Sequence, residues 1–277
     1  MSIRRRLAIN VNDSKNTRMD VVDPCSSWRP DELAHISRHC KIAELIMDES
    51  ARLGRPCDLL EAGCGNSWVL RHLYHSVVIR KSEVARSYLG VDIDPAVLDE
   101  LPGWAAAPSV NESNWLRAFG GRVLIQDLTV EPRFPLASGS VDVFWTTEVI
   151  EHMRPEFVEA WLQDAVRCLR WGGLAYISTP NHDGSNERLP LDHVYEWGHA
   201  ELRGLLEKYF TVEAVAGVFI QMPRFRRAQR ELQRWPHGVV AAIEQRFSPE
   251  WARVILATAY PEYSNNAAFI LRRLPGS

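Results

Sequence analysis

The sequence lacks the paired cysteines that disulfide-rich and zinc-binding proteins use. Its 277 residues contain five cysteines, an odd number, and none of them form a CxxC pair. Free thiols in a reducing compartment fit this pattern better than a disulfide framework or a zinc site. No apolar run approaches membrane-spanning length, and no apolar segment follows the arginines at positions 4–6 as it would in a signal peptide. We therefore expect a cytoplasmic protein with no membrane partner.

An excess of positive charge is also missing. Lysine and arginine number 32 and aspartate and glutamate 35, which gives a formal net charge of -3 at pH 7. This balance offers no overall attraction to polyphosphate, so a nucleic-acid partner would need a local basic patch. Five arginines do cluster between positions 224 and 234. A solvated helix face with acidic neighbours is a more ordinary interpretation of that cluster than a phosphate-binding surface.

Repeats and low-complexity tracts are absent, and short apolar strands alternate with helical stretches instead. Residues 31–53 have helical spacing of apolar residues. The predicted strands follow at 58–62, 88–91, 123–125, 141–145, 174–178, 211–218 and 267–271. This alternation predicts crossover units and a mainly parallel sheet with helices on both faces. We expect an N-terminal arm or flap at 1–30 and one α/β domain at 31–277, with a helical insertion at about 222–260.

The first predicted strand leads into a glycine turn, Glu61-Ala62-Gly63-Cys64-Gly65. Glycines at this point let the backbone approach a ligand closely and adopt conformations closed to other residues. The third glycine of a dinucleotide fingerprint is missing, which counts against an NAD-dependent dehydrogenase. Taken alone, the turn is a weak signal.

Acidic residues end the next two predicted strands. Asp92 stands where a ribose diol needs a paired acceptor. Asp127, followed by Leu128, ends the third strand and is suited to an adenine amino group. Each acid by itself is as easily a solvated surface group, but the successive strand ends agree with one another.

In order and spacing, these motifs resemble those of the class I S-adenosylmethionine-dependent methyltransferases, over roughly residues 31–220. The resemblance implies a Rossmann-like fold with a seven-stranded, mainly parallel sheet whose last strand is antiparallel. It also implies S-adenosyl-L-methionine as the cofactor. Insertions before the last strand commonly form substrate walls in this family, so the 222–260 segment would lie on the substrate side.

The same resemblance assigns the cofactor residues. Glu61, Gly63 and Gly65 would surround the methionine part of the cofactor. Asp92 would hold the ribose hydroxyls, and both Asp127 and Leu128 would face adenine.

A second cluster of polar residues follows the fourth predicted strand. Glu148, Glu151 and His152 stand at i, i+3 and i+4, a spacing that predicts three side chains on one helical face. Two carboxylates and an imidazole can hold a divalent cation such as manganese, iron, cobalt or magnesium. A Glu-His pair at this point also occurs in many class I methyltransferases that use no metal, and both interpretations fit this segment.

Further motifs follow the fifth strand, at Thr179-Pro180-Asn181 and Asp192-His193. With the preceding cluster, they resemble the small-RNA 3′-terminal 2′-O-methyltransferases. That resemblance implies Mn²⁺ or Mg²⁺ bound by four residues: Glu148, Glu151, His152 and His193. The cation would grip the two hydroxyls of a terminal ribose and activate one as a Lewis acid. His152 or His193 could instead be catalytic as the proton acceptor. A shared ion requires these two imidazoles to lie within about 8 Å of each other.

The chain departs from that second pattern in two places. Leu189-Pro190-Leu191 stands where the family has basic and polar residues, and Tyr195 replaces the usual phenylalanine. The resemblance therefore supports the catalytic arrangement more than the RNA acceptor. We expect a methyltransferase that O-methylates a hydroxyl, on a nucleic-acid ribose or terminus, with divalent metal assistance. The alternative is a metal-independent methyltransferase of a sugar or other small polar metabolite. A binding protein without turnover is disfavoured because the four polar residues are intact.

Overall fold

The computed structural model describes residues 30–65, 67–70, 72–73, 84–97, 116, 119–182, 189–220, 225–228 and 237–275. The N-terminal arm predicted at 1–30 lies outside the described residues except for its last position. The arginines at 224, 230 and 234 also lie outside them.

A seven-stranded sheet forms the centre of the fold, in the order β3-β2-β1-β4-β5-β7-β6. Its strands are β1 (Cys57–Ala62), β2 (Ala85–Asp92), β3 (Gly121–Ile125), β4 (Val141–Thr147), β5 (Leu169–Pro180), β6 (Phe210–Gly217) and β7 (Asn266–Arg273). Only β7 runs antiparallel to its neighbours, β5 and β6. The predicted Rossmann-like α/β fold is confirmed. The fifth strand begins earlier than predicted, because Leu169 already pairs with Val141 before a register shift.

Helices cover both faces of this sheet, as predicted. They are α1 (Pro30–Leu53), α2 (Pro155–Cys168), α3 (His199–Leu206), α4 (His237–Arg246) and α5 (Pro249–Ala259). Side chains alternate along β1, so that Leu59 faces a core shared with α1 and α5 while Leu60 faces one shared with α2 and α3. Among the described residues, no helix combines the length and apolarity needed to cross a membrane.

The described part of the predicted insertion is helical. Residues 225–228, α4 and α5 build a small separate core around Phe225 and Leu256. Helix α5 also packs on α1 and β6, which joins the insertion to the main domain. Its position on the substrate side stays a prediction.

An ion-pair network around the buried carboxylate of Asp142 links strands at the amino end of the sheet. Asp142 is 2% exposed and accepts hydrogen bonds from both terminal nitrogens of Arg55, each at 2.8 Å. Arg170 lies 2.7 Å from Asp142 and 3.1 Å from Asp58, so it links the two carboxylates. Burial alone would raise the pKa of Asp142, but its hydrogen bonds, led by that from Arg55, lower this pKa overall.

Candidate active site

The carboxyl end of β1 forms the glycine turn that the sequence predicts. Gly63 and Gly65 have φ angles of +69° and +46°, in the left-handed region that favours glycine. Residues 68–70 and 72–73 beyond the turn are helical. A Cβ atom on Gly63 would lie 2.0 Å from Cγ2 of Val149, so the turn packs directly on the segment that follows β4. The two halves of the site are therefore in contact.

Asp92, at the end of β2, is bonded to this turn. Its Oδ2 accepts a hydrogen bond from the backbone N–H of Gly65 at 2.8 Å, and its Oδ1 accepts one from that of Asp94 at 3.0 Å. Each carboxylate oxygen can accept more than one hydrogen bond, so both retain capacity for ligand hydroxyls. The structure thus brings together Gly65 and Asp92, which the sequence assigns to one ligand.

Glu61 is buried beneath the turn, with 4% of its surface exposed. Its Oε2 accepts a hydrogen bond from the Tyr88 hydroxyl at 2.6 Å, and that hydroxyl also bonds Ser67 Oγ at 2.8 Å. Burial raises the pKa of Glu61 to about 8, against the opposing effect of the Tyr88 hydrogen bond. The Glu61 carboxyl group is therefore mostly protonated at pH 7 unless a cation is placed beside it.

Asp127 and Leu128 follow β3 and have different environments. Oδ1 of Asp127 accepts from both the backbone N–H and the hydroxyl of Thr129, at 2.8 and 2.6 Å, which fixes the turn. The Leu128 side chain is 5% exposed and packs in the core on the α2 side of the sheet. Their predicted contact with adenine stays a prediction.

The prediction that Glu148, Glu151 and His152 share one helical face after β4 is wrong. Glu148 N donates a hydrogen bond to Ser178 O at 3.0 Å, so the chain stays tied to β5 through this residue. Glu148 then adopts a φ of +55°, and only a short 3₁₀ turn, Ile150–His152, follows. The i, i+3, i+4 argument therefore does not apply.

Glu148 instead makes a long-range ion pair. Arg38 of α1, 4% exposed, donates from Nη1 to Glu148 Oε1 at 2.6 Å. Asn266, the first residue of β7, donates to both carboxylate oxygens at 2.9 Å. Arg38 also donates from Nη2 to His35 Nδ1 at 2.6 Å, and burial with this neighbouring charge lowers the pKa of His35 to about 4. Glu148 thus anchors both α1 and β7 at the carboxyl edge of the sheet.

The other three predicted ligands do converge. One donor atom from each of Glu151, His152 and His193 lies within 4.8 Å of the other two. The two imidazole centroids are 5.3 Å apart, inside the limit for a shared ion. Glu151 Oε1 is 3.9 Å from His152 Nε2, while its Oε2 accepts from the Thr179 hydroxyl at 2.8 Å. Burial raises the pKa of Glu151, and the charge of Glu148 acts in the same direction.

Main-chain hydrogen bonds bring the loop carrying His193 to this position. The carbonyl oxygen of Glu151 accepts from the backbone N–H groups of Val194 and Tyr195, at 2.7 and 3.0 Å. His152 Nδ1 donates to the Asp192 carbonyl at 2.7 Å. The loop is thus docked on the 3₁₀ turn, and it presents His193 beside His152.

Four residues of this site were not assigned from the sequence. Arg38 and Asn266 are distant in sequence from Glu148, and no local pattern points to them. Thr179 lies in the Thr-Pro-Asn motif, which was recognised without a role for its hydroxyl. Glu196 lies 2.6 Å from His193 Nδ1 through its Oε1, and the spacing of three residues could have indicated this contact.

Comparisons with known proteins identify the family and the fold of the chain. Residues 33–250 match the family model described as a methyltransferase domain. No curated protein matches the sequence significantly.

Solved structures of similar fold include the [4+2]-cyclase SpnF, with a TM-score of 0.52, 16% identity and coverage of 92% of this chain and 85% of that chain. The small RNA methyltransferase HEN1 has a TM-score of 0.55 and 16% identity; the similarity covers 91% of this chain but 26% of that one. The methyltransferase domain of bacterial CtHen1 has a TM-score of 0.50, 17% identity and coverage of 85% and 97%. At these identities the likeness concerns the fold alone, and a cyclase shares it.

Proposed function

Because this chain belongs to the methyltransferase-domain family and is an S-adenosylmethionine-dependent methyltransferase, we propose that it methylates a hydroxyl oxygen of its acceptor with the help of a divalent cation. One observation carries the proposal. The carboxylate of Glu151 and the imidazoles of His152 and His193 converge within 4.8 Å, and Val149, two residues before Glu151, packs against the glycine turn. An acceptor bound to these groups would lie next to the methyl donor.

We assign the cofactor to the residues at the strand ends. Gly63 and Gly65, with the buried Glu61, would surround its methionine part, and Asp92 would accept from its ribose hydroxyls. The hydrogen bond from Gly65 to Asp92 supports this assignment, because it holds the carboxylate at the turn. Asp127 and Leu128 would lie beside adenine. When bound, the cofactor supplies a methyl group on a positively charged sulfur.

The three converging residues suit a divalent cation. Glu151 Oε1 faces His152 Nε2 across 3.9 Å, a gap that two coordination bonds of about 2.0–2.2 Å can span. The two imidazoles favour Mn²⁺ over Mg²⁺, which prefers an all-oxygen set. When bound, the cation would act as a Lewis acid on the acceptor hydroxyl. We propose Glu151, His152 and His193 as its ligands; Glu148 is engaged by Arg38 and Asn266 and is not among the converging donors.

A metal-independent methyltransferase of a sugar or other small polar metabolite is the second candidate. Two observations favour it. Arg38 already neutralises the charge of Glu148. Leu191, two residues before His193, is 93% exposed at a place where a phosphate-binding loop would carry basic residues. In this case His152 or His193 would take the hydroxyl proton on Nε2 while the oxygen attacks the methyl group.

The test is methyl transfer from labelled cofactor into RNA, DNA and a metabolite extract, with and without chelator. Product in RNA that is lost with chelator and restored by Mn²⁺ would support the first candidate. Chelator-insensitive labelling of a small metabolite would support the second. His193→Ala should reduce turnover in either case without weakening S-adenosylhomocysteine binding. Label found exclusively on a nitrogen or carbon atom of the product would contradict hydroxyl methylation.

A further inference from the structure

The carboxylate of Glu196 lies between two imidazoles near the proposed acceptor. Its Oε1 is 2.6 Å from His193 Nδ1, and its Oε2 is 4.0 Å from His182 Nδ1. Both members of the closer pair are largely buried, at 15% and 16% side-chain exposure. This carboxylate is not one of the converging donors, so it reaches the reacting atoms only through His193.

The contact decides which nitrogen of His193 carries its proton. A neutral imidazole has one N–H, and a carboxylate oxygen can only accept, so the proton must be on Nδ1. The other nitrogen, Nε2, then has its lone pair available. His152 has the same tautomer, because its Nδ1 donates to the carbonyl of Asp192. The partner of His152 is main chain, whereas the partner of His193 is a side chain that a substitution can change.

Neighbouring contacts fix the position of Glu196. The next residue, Trp197, is buried and its ring lies 5.1 Å from that of Tyr195. His182 N donates to the carbonyl of Trp197 at 2.9 Å, which ties this loop to the end of β5. A carboxylate on a segment whose neighbouring residue is anchored in this way can orient a ligand or a base more firmly than one on a free loop.

We propose that Glu196 is a positioning residue that keeps the proton of His193 on Nδ1, so that Nε2 can bind a cation or accept the acceptor's proton. The proposal rests on the proposed function for its catalytic consequence, but not for the tautomer itself. In Glu196→Gln, the side chain can present either an amide N–H or an amide oxygen to Nδ1, and that oxygen is a weaker acceptor than a carboxylate, so the preference for the Nδ1–H tautomer should weaken. In Glu196→Asp, the acceptor is kept on a shorter side chain.

The matched control is Glu201→Gln. Glu201, in the first turn of α3, accepts from the Tyr195 hydroxyl at 2.6 Å and from the backbone N–H of Gly198, so it supports the same loop through contacts that involve neither imidazole of the cluster. If both glutamates only held the loop in place, Glu196→Gln and Glu201→Gln would have the same effect on His193. A tautomer effect should appear in Glu196→Gln alone.

The experiment reads the ring nitrogens of His193 by ¹⁵N NMR, assigned with His193→Gln, and measures binding of Mn²⁺ alone and of S-adenosylhomocysteine by calorimetry. We expect Nδ1–H in the wild type and in Glu196→Asp, and a shift towards Nε2–H in Glu196→Gln. Loss of such an outer partner typically costs about 10–100-fold in metal affinity or activity. S-adenosylhomocysteine binding should be unchanged.

A wild-type His193 with its proton on Nε2 would overturn the proposal, and so would an unchanged tautomer in a folded Glu196→Gln. Because the spectrum needs neither acceptor nor metal, it separates this proposal from the proposed function. If the wild type had the expected tautomer but did not bind Mn²⁺, the proposed metal site would be contradicted and the positioning role of Glu196 would remain supported.

Discussion

Removing the charge of Glu148 should destabilise the protein more than removing that of Arg38, although the two residues form one ion pair. The Arg38 side chain is 2% exposed and that of Glu148 is 30% exposed. Glu148→Gln leaves a buried guanidinium without its counter-charge, which typically costs 3–5 kcal/mol; we expect about 3 kcal/mol, because water reaches Glu148. Arg38→Met removes the buried charge, while Glu148 keeps the two hydrogen bonds from Asn266. Its cost should be about 1–2 kcal/mol, from lost hydrogen bonds.

The assay is urea unfolding of the wild type, both single variants and the double variant. The double variant should be more stable than the sum of the single effects predicts, with a coupling free energy of about 1–3 kcal/mol. Equal losses of stability in the two single variants, or additive losses in the double variant, would refute the reasoning. Either result would mean that the Arg38 guanidinium does not depend on Glu148 for its counter-charge. The same Glu148→Gln protein should bind Mn²⁺ as the wild type does, whereas Glu151→Gln should not. Loss of binding in both variants would make Glu148 a ligand after all.

Three further predictions follow from other contacts. Asp92→Ala should weaken S-adenosylhomocysteine binding measured by calorimetry, since it removes the proposed ribose acceptor at the turn. Tight NAD binding without a response to S-adenosylhomocysteine would contradict the assignment. Binding of S-adenosylhomocysteine at pH 7 should release a proton from Glu61, because the ligand's amino group would lower the pKa of this carboxyl group from about 8. The measured heat of binding should therefore depend on the ionisation enthalpy of the buffer. A heat that does not depend on the buffer, or that depends on it equally in Glu61→Gln, would count against this prediction. Asp142→Ala should cost about 1.5–3 kcal/mol in urea unfolding, since it removes the charged hydrogen bonds from Arg55 while water still reaches that guanidinium, which is 35% exposed. The stabilisation from Asp142 should be complete above its unfolded-state pKa of about 3.9 and lost as the pH falls through the lower folded-state pKa; a wild-type stability that stays flat through this acid range would contradict that contribution.

Features encoded by neighbouring residues were predictable from the sequence. The strands are short apolar runs, and the glycine turn after β1 combines a motif with a conformation that other residues avoid. The positions of Asp92 at the end of β2 and Asp127 after β3 were predictable because parallel strands place their carboxyl ends at one edge. Their contacts with the cofactor stay predictions. Glu196 was equally readable, three residues after His193, but its role depends on a distance that spacing alone does not give.

The error after β4 has a definite cause. The pattern Glu-Val-Ile-Glu-His fits a helix, but a hydrogen bond from Glu148 to β5 keeps the chain in the sheet for one more residue. The partner of Glu148 is 110 positions away, on α1. A local pattern can suggest that a carboxylate is functional, but only the fold decides which cation it meets.

The sheet order also has a consequence for synthesis of the chain on the ribosome. Within the described part of the chain, β6 is hydrogen-bonded to the sheet only through β7, which is made after it and inserts between β5 and β6. Until β7 emerges, β5 has an open edge and β6 has no partner strand. Asn266, which holds Glu148, arrives with that same strand. The nascent protein can therefore collapse around its first five strands before the carboxyl edge of the sheet around Glu148 is complete, and a chain truncated before position 266 would carry an unpaired, aggregation-prone strand.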